Sequence, residues 1–379
     1  MQKGYLLAPG PTQIPPDVLL KMAAPIIHHR NPLFEKLLEE VRENLKYLFG
    51  TKNEVLIFAS SGTGAMEGAV TNMLSPGDKA IVVRSGKFGE RWAEICSAYG
   101  IETINIDVPW GDDLDPTDVK KALERSPDAK AVYMQATETS TGVRFPVKEV
   151  ADIVKEYENT LMVVDGITGV GVFELPQDSW SIDVLVGGSQ KALMLPPGLA
   201  FAGVSEKAWE FNKRSKCPKY YFNWAKELSM LKKNQTHFTP AISLIVGLAE
   251  SLRMIREEGL DRIYRRVEIL ARATREAAKA LGLKIFAKTP SPAVTAICAP
   301  DGIDGEKIYD LMWKKYGVTG AGGQDKLKGK VFRIATLGYA DRHDVVVAIS
   351  ALELTLKELG YKFDLGSGVG RALEVLKEL

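Results

Sequence analysis

Cysteine is scarce in this sequence. Cys96, Cys217 and Cys298 are the only three in 379 residues, and they lie far apart. That odd, scattered set argues against a disulfide framework and against a cysteine-built zinc site. Histidine is thin too. His28, His29, His237 and His343 are the four present, with no HExxH pattern and no close His/Cys cluster. No metal site is expected. An excess of one charge is also missing: 49 Lys and Arg against 48 Asp and Glu leave a formal charge of +1. The chain makes no electrostatic case for nucleic acid or an anionic membrane. Long apolar runs are absent, since stretches such as Ala241–Ala249 and Val345–Ile349 fall far short of the ~20 residues of a membrane span. The apolar run Tyr5–Ala8 is cut by Pro9, which does not read as a secretory signal. A reducing, cytoplasmic setting is the default expectation. What remains is 45% hydrophobic and 26% charged, the make-up of an ordinary globular protein. At roughly 100–200 residues per domain, the length allows two domains, or three.

The chain then divides by rhythm. Leu6 to Pro16 carries four prolines and Gly10, so it can be neither helix nor central strand and reads as an extended arm. Leu33, Leu37, Leu38, Val41, Leu45 and Leu48 repeat at helical spacing, with Gly50 as the stop. Seven short apolar runs follow: Val55–Ala59, Ala80–Val83, Thr103–Val108, Ala131–Gln135, Leu161–Val164, Asp183–Val186 and Leu199–Val204. With amphipathic stretches between the early ones, they predict a buried, mostly parallel sheet built from βαβ crossovers. After about residue 240 the pattern becomes α+β. Residues 241–281 read as helix broken at Gly259, 283–287, 294–298 and 331–335 as strands, and 304–316 and 341–359 as helices. Thr319–Gly323 and Gly366–Gly370 read as loops. The expected division is an arm at 1–16, a large α/β domain at 17–257 and a small domain at 258–379.

Four features carry chemistry. Ser60-Ser61-Gly62-Thr63-Gly64 joins a strand to a helix, and free N–H groups at a helix start make an anion site. It is neither a Walker A loop nor GxGxxG. Asp165 closes a buried strand, where α/β proteins bind ligands. Lys191 follows another strand among small polar residues, and a lysine in a low-dielectric setting becomes a nucleophile. Arg333 stands inside the apolar strand Val331–Ala335, where it needs a partner, and arginine is the natural fork for a carboxylate. Each has a plain alternative: a flexible turn, a turn-capping Asp, a loop lysine, a structural ion pair. Together they suit pyridoxal phosphate (PLP), with phosphate on the helix start, Asp on the ring nitrogen and Lys as the Schiff base. Cys217 lies in the basic stretch Arg214–Lys219, which could lower its pKa.

Over nearly its whole length the chain resembles the class V, fold-type I PLP-dependent aminotransferases of the alanine–glyoxylate/serine–pyruvate branch. The matching segments are Pro9-Gly10-Pro11-Thr12, Ser61 to Glu67, Glu138-Thr139-Ser140-Thr141-Gly142, Asp165, Gly188 to Leu193 with Pro196-Pro197-Gly198, and Arg333-Ile334. The resemblance implies a seven-stranded, mainly parallel sheet in a large PLP domain and a small α+β C-terminal domain. It assigns Lys191 as Schiff-base lysine and proton carrier, and Asp165 to the pyridine nitrogen. Phe88 stands where the family stacks an aromatic ring. Ser61, Gly62, Thr63 and Gln190 would hold phosphate. Thr139, or Ser140 after a one-residue slip, would contact the ring's hydroxyl side and border the substrate. Arg333 would hold the substrate carboxylate beside the backbone of Gly10. The family works as a homodimer whose arm wraps the partner and whose second subunit completes the phosphate site. Thr236 and Thr239 occupy the matching segment, from which an expected tyrosine is missing.

The resulting expectation is a ping-pong aminotransferase. A small donor, alanine or serine with aspartate as a further candidate, passes its amino group to glyoxylate or pyruvate. A PLP-dependent lyase or desulfurase is the alternative, although Gln190 replaces the histidine usual before its lysine. A non-catalytic or nucleotide-binding α/β protein is the second alternative, against which the Asp165–Lys191 pair speaks.

Overall fold

The computed structural model describes residues 3–379. All seven expected strands are present: β1 (Val55–Phe58), β2 (Lys79–Arg84), β3 (Glu102–Asp107), β4 (Ala131–Gln135), β5 (Leu161–Asp165), β6 (Val184–Gly188) and β7 (Ala200–Val204). They form one sheet in the order β1-β7-β6-β5-β4-β2-β3. Only β7 runs against its neighbours. A turn, not a crossover helix, joins it to β6, and a short connection permits only antiparallel pairing. The C-terminal ends of the other six strands therefore share one edge, where an α/β sheet binds its ligands.

Helices cover both faces. Helix α1 (Pro32–Phe49) starts where the Asn31 side chain accepts from the N–H of Leu33, and stops at left-handed Gly50. It buries Phe34, Leu38, Val41, Leu45 and Leu48. Leu33, counted on that stripe in the sequence, is 66% exposed, and Phe34 holds the inward position instead. Helices α2 (Gly62–Met73) and α3 (Lys87–Ala98) follow β1 and β2.

A second hydrophobic core lies in the C-terminal part. There β8 (Val294–Cys298), β9 (Ala321–Gly322) and β10 (Val331–Ala335) form a sheet in the order β8-β10-β9. The long helical run divides at Gly259, as expected, into Ile242–Glu258 and Leu260–Ala280. Residues of the latter helix enter both cores, Ile263 and Val267 in one and Leu270 and Ala277 in the other.

Three local expectations fail for tertiary reasons. Residues 283–287 form no strand beyond a single bridge between Ile285 and Ile297. Among the described residues their backbone contact with β8 is limited to the bonds Phe286 N–H to Ala296 O (2.9 Å) and Cys298 N–H to Lys284 O (2.8 Å), too short a ladder for a strand. Thr319–Gly323 is not plain loop. Val318–Thr319 pairs in parallel with Tyr5–Leu6, and Ala321–Gly322 pairs with Phe332 and Arg333. Gly366–Gly370 is the start of helix Ser367–Leu376. The buried Glu353 carboxylate accepts from the N–H groups of Gly366 (2.6 Å) and Val369 (2.9 Å). Its cap comes from another helix, so no local signal announces it.

The arm is extended where described, and its residues 5–12 lie on their own chain. Leu7 is buried in the second core, its N–H bonded to Thr319 and its carbonyl to Ala335. The arm then crosses to the end of β6.

Candidate active site

The strand ends bring the candidate groups together. At the end of β1, Ser61 is the extended residue before α2, and its side chain makes no capping bond. The N–H groups of Gly62 and Thr63, in the first turn of α2, and the hydroxyls of Ser61 and Thr63 lie at this helix start. Gly62 leaves room there for Ile167, whose Cδ1 would stand 2.3 Å from a Cβ at this position. Ile167 in turn donates its N–H to Asp165 Oδ1 at 2.8 Å. Ile167 therefore bridges the phosphate-type turn and the strand-end acid.

Asp165 is buried, and burial pushes its carboxyl up to about 6, against the pull of Arg91 and Lys191. Burial pushes Lys191 down to about 8; Asp165 opposes this, while Arg333 and Arg91 add to it. These are the shifts expected of an acid and an amine desolvated side by side. Gln190 has a buried Oε1 with no hydrogen-bond partner. It lies near the Gly188 backbone, which itself approaches Gly62. An unpartnered buried acceptor in an otherwise bonded turn marks space for a donor.

The arm closes over this lysine. Thr12 donates its hydroxyl to Lys191 O (2.9 Å) and its N–H to Gln190 O (3.2 Å). Lys191 Nζ donates to Pro9 O at 2.5 Å. Gly10 has φ 148°, and a Cβ on it would lie 2.4 Å from Lys191 Nζ.

Arg333 reaches in from β10. Its Nη1 donates to Thr139 O (2.8 Å), while Nε and Nη2 donate to Gly322 O (3.1 and 2.8 Å). Three of the five N–H groups of a guanidinium are used. One remains on each terminal nitrogen, a spacing that suits a carboxylate. Burial lowers Arg333 to about 10, opposed by Glu138 and Glu306, so it stays charged at neutral pH.

Thr139 and Ser140 are separated by their bonds. Thr139 donates its hydroxyl to Thr168 (3.0 Å), whereas Ser140 is tied to the Glu138 carboxylate at 2.5 Å. Glu138 is fully buried and also accepts from the N–H groups of Phe88 (3.1 Å) and Gly89 (3.0 Å). It thereby fixes the start of α3, which carries Phe88. Burial raises its carboxyl, with those hydrogen bonds opposing.

Two predicted residues lie apart from Lys191. Thr236 donates to Phe238 O (2.7 Å), and Thr239 is exposed. Arg30 binds this segment through Gln235 Oε1 (2.9 Å) and Thr236 O (3.1 Å). Cys217 is not activated: burial raises its thiol despite Lys219, and the thiols of Cys96 and Cys298 are raised as well.

The sequence reading missed Arg91. Its Nη1 donates to Thr63 Oγ1 at 3.2 Å, and its guanidinium carbon lies 4.8 Å from the Phe88 ring centre. The signal was available, since Phe88 and Arg91 are three apart on one helix and share a face.

The Aminotransferase class-V family model matches residues 4–325. The chain belongs to that family. A soluble hydrogenase small subunit of Synechococcus sp. (strain PCC 6716) is 45% identical, over 99% of this chain and 98% of that one. A serine–glyoxylate aminotransferase of Methylorubrum extorquens is 34% identical, over 99% and 96%. Among solved structures, the ureidoglycine–glyoxylate aminotransferase of Bacillus subtilis superposes with a TM-score of 0.95 at 28% identity, over 100% of this chain and 99% of that one. The fold is that of the fold-type I aminotransferases, and the chain is an aminotransferase. No helix among the described residues is long and apolar enough to cross a membrane.

Proposed function

We propose that this class-V aminotransferase uses PLP to move an amino group from alanine or serine, with aspartate as a further candidate, to glyoxylate or pyruvate in two half-reactions. The observation that carries the reading is the meeting of Asp165, Lys191, the α2 start and Arg333 at one sheet edge. The residues fit PLP. The N–H groups of α2, the hydroxyls of Ser61 and Thr63 and the side-chain NH2 of Gln190 would hold its phosphate. Asp165 would face the ring nitrogen, Phe88 the ring plane and Thr139 the ring hydroxyl side. PLP, when bound, supplies the electron sink that lets the amino acid lose its Cα proton.

The protein's own groups do the rest. Lys191, with its basicity lowered by burial, would take the substrate Cα proton onto Nζ and hold it there for return. Arg333 grips the α-carboxylate with its two free N–H groups, next to the Gly10 backbone. That holds the substrate in the orientation the proton transfer needs. Arg333 is the single carboxylate clamp identified, which supports a small donor over a dicarboxylate. The raised thiols support an aminotransferase over a desulfurase, whose chemistry needs a reactive thiolate.

A cytoplasmic homodimer with sites at the subunit interface is part of the proposal. Thr236 and Thr239 would face the partner's phosphate site. The exposed Tyr220, Tyr221, Leu20 and Ile26 support an apolar contact between copies. The division into an arm (1–16), a PLP domain (17–257) and a small domain (258–379) is likewise proposed.

The test is a panel of amino donors against glyoxylate, pyruvate and 2-oxoglutarate, with light scattering for the assembly. Alanine or serine with glyoxylate or pyruvate should turn over fastest. A strict demand for glutamate and 2-oxoglutarate would overturn the small-donor reading, and a monomer with full activity would overturn the shared site.

A further inference from the structure

Arg91 has no part in the roles assigned so far, yet it touches two elements of the site and its charge acts on a third. Its Nη1 donates to Thr63 Oγ1 (3.2 Å) at the start of α2. Its guanidinium lies against the Phe88 ring, 4.8 Å from the centre. Its charge also acts on both Asp165 and Lys191. Among the described residues it makes no ion pair, so no carboxylate competes for this cation.

The direction of the Thr63 bond matters. A hydroxyl carries one hydrogen and two lone pairs. When Oγ1 accepts from a guanidinium, its own hydrogen is left to point elsewhere. Thr63 is the second residue of that helix, whose first N–H groups have no intrahelical partner. A hydroxyl polarised by a cation is also a better donor, because hydrogen bonds in a chain strengthen one another.

We propose that Arg91 is a positioning residue for anion binding: by donating to Thr63 Oγ1, it leaves the Thr63 hydroxyl hydrogen for the phosphate held at the start of α2. The inference deepens the PLP reading and rests on it. Arg91 acts through Thr63 and need not touch the phosphate itself. Lysine at this position would keep the charge but lose the planar fork that reaches Thr63 from beside the Phe88 ring.

The experiment uses the full-length chain freed of cofactor. Dissociation constants are measured for PLP, pyridoxal and inorganic phosphate with the parent protein and with Arg91→Met, Thr63→Val and the double variant. Arg91→Met should weaken PLP and inorganic phosphate about tenfold and change pyridoxal less than about twofold. In the Thr63→Val background the same change should cost almost nothing, because the hydroxyl it orients is gone. Arg91→Lys should fall between the parent and Arg91→Met, and it serves where Arg91→Met fails to fold. The proposal is overturned if pyridoxal and PLP weaken alike, or if the two changes add independently. A parent protein that binds neither PLP nor pyridoxal at Lys191 would overturn the cofactor reading itself, a separate outcome.

Discussion

Lys191 Nζ donates to the backbone carbonyl of Pro9 across 2.5 Å, although 182 residues separate them. The arm thus holds the lysine side chain, while Thr12 holds its backbone. Gly10 is the pivot of this contact, since its φ of 148° and the crowding by Nζ both exclude a side chain. Gly10→Ala should therefore lower kcat on the order of a hundredfold, the scale for misplacing a reacting group by about 1 Å. The large-domain fold should survive. Steady-state kinetics beside circular dichroism checks this, and unchanged kcat in a folded variant would remove the arm from the site.

Lys191 should react as an amine far below the pH of an ordinary lysine. With its pKa lowered to about 8, the neutral nucleophile accumulates above that pH and not above 10.5. In cofactor-free protein, acylation of Lys191 followed by peptide mapping should reach half its maximal rate near pH 8. Arg333 contributes to the lowering, so Arg333→Met should move the midpoint upward. A midpoint at the value of surface lysines would contradict the burial.

Asp165 makes a stability prediction of definite sign. Its carboxyl is raised by burial from 3.8 to about 6. Between those values the folded protein binds the extra proton, so stability falls as pH rises through the window. Above pH 6 the penalty is complete, at most about 3 kcal/mol for a two-unit shift. Asp165→Asn should raise the melting temperature of cofactor-free protein at pH 7 and leave it nearly unchanged at pH 3.5. Transamination should be lost at every pH. A variant less stable at pH 7 than the parent would show that the charge is better compensated than burial implies.

Arg333→Lys tests the carboxylate clamp. A lysine cannot donate to both Thr139 O and Gly322 O and still offer a paired fork. KM for amino and oxo acids should rise on the order of tenfold to a hundredfold. PLP content, read from its absorbance, should stay within about twofold of the parent. Equal loss of cofactor would mean that Arg333 supports the fold of the site and does not serve the substrate.

The large sheet was legible because its strands are continuous apolar runs. β1, β4, β5, β6 and β7 are buried along their whole length, which leaves no room for polar alternation. The sequence also marked the strand-end acid and the lysine, since charged residues directly after such runs are conspicuous. The helical spacing of Arg91 from Phe88 was readable, but its bond to Thr63 was not, because nothing local says that a residue 28 positions earlier lies within reach. Glu138 was quoted as part of a motif, but its capping of α3 depends on a helix 49 residues away. The terminal helix was missed for the same reason, as Glu353 supplies its cap from a distance.

By itself, then, the sequence determined the seven strands of the large sheet, their chain order and the residue types available for chemistry, because hydrophobic period and turn residues act locally. The tertiary structure decided which of those residues meet. It set the Arg333 fork, laid Pro9 and Gly10 on Lys191, and lowered that lysine's basicity, since burial and long-range contacts exist only once the chain has folded.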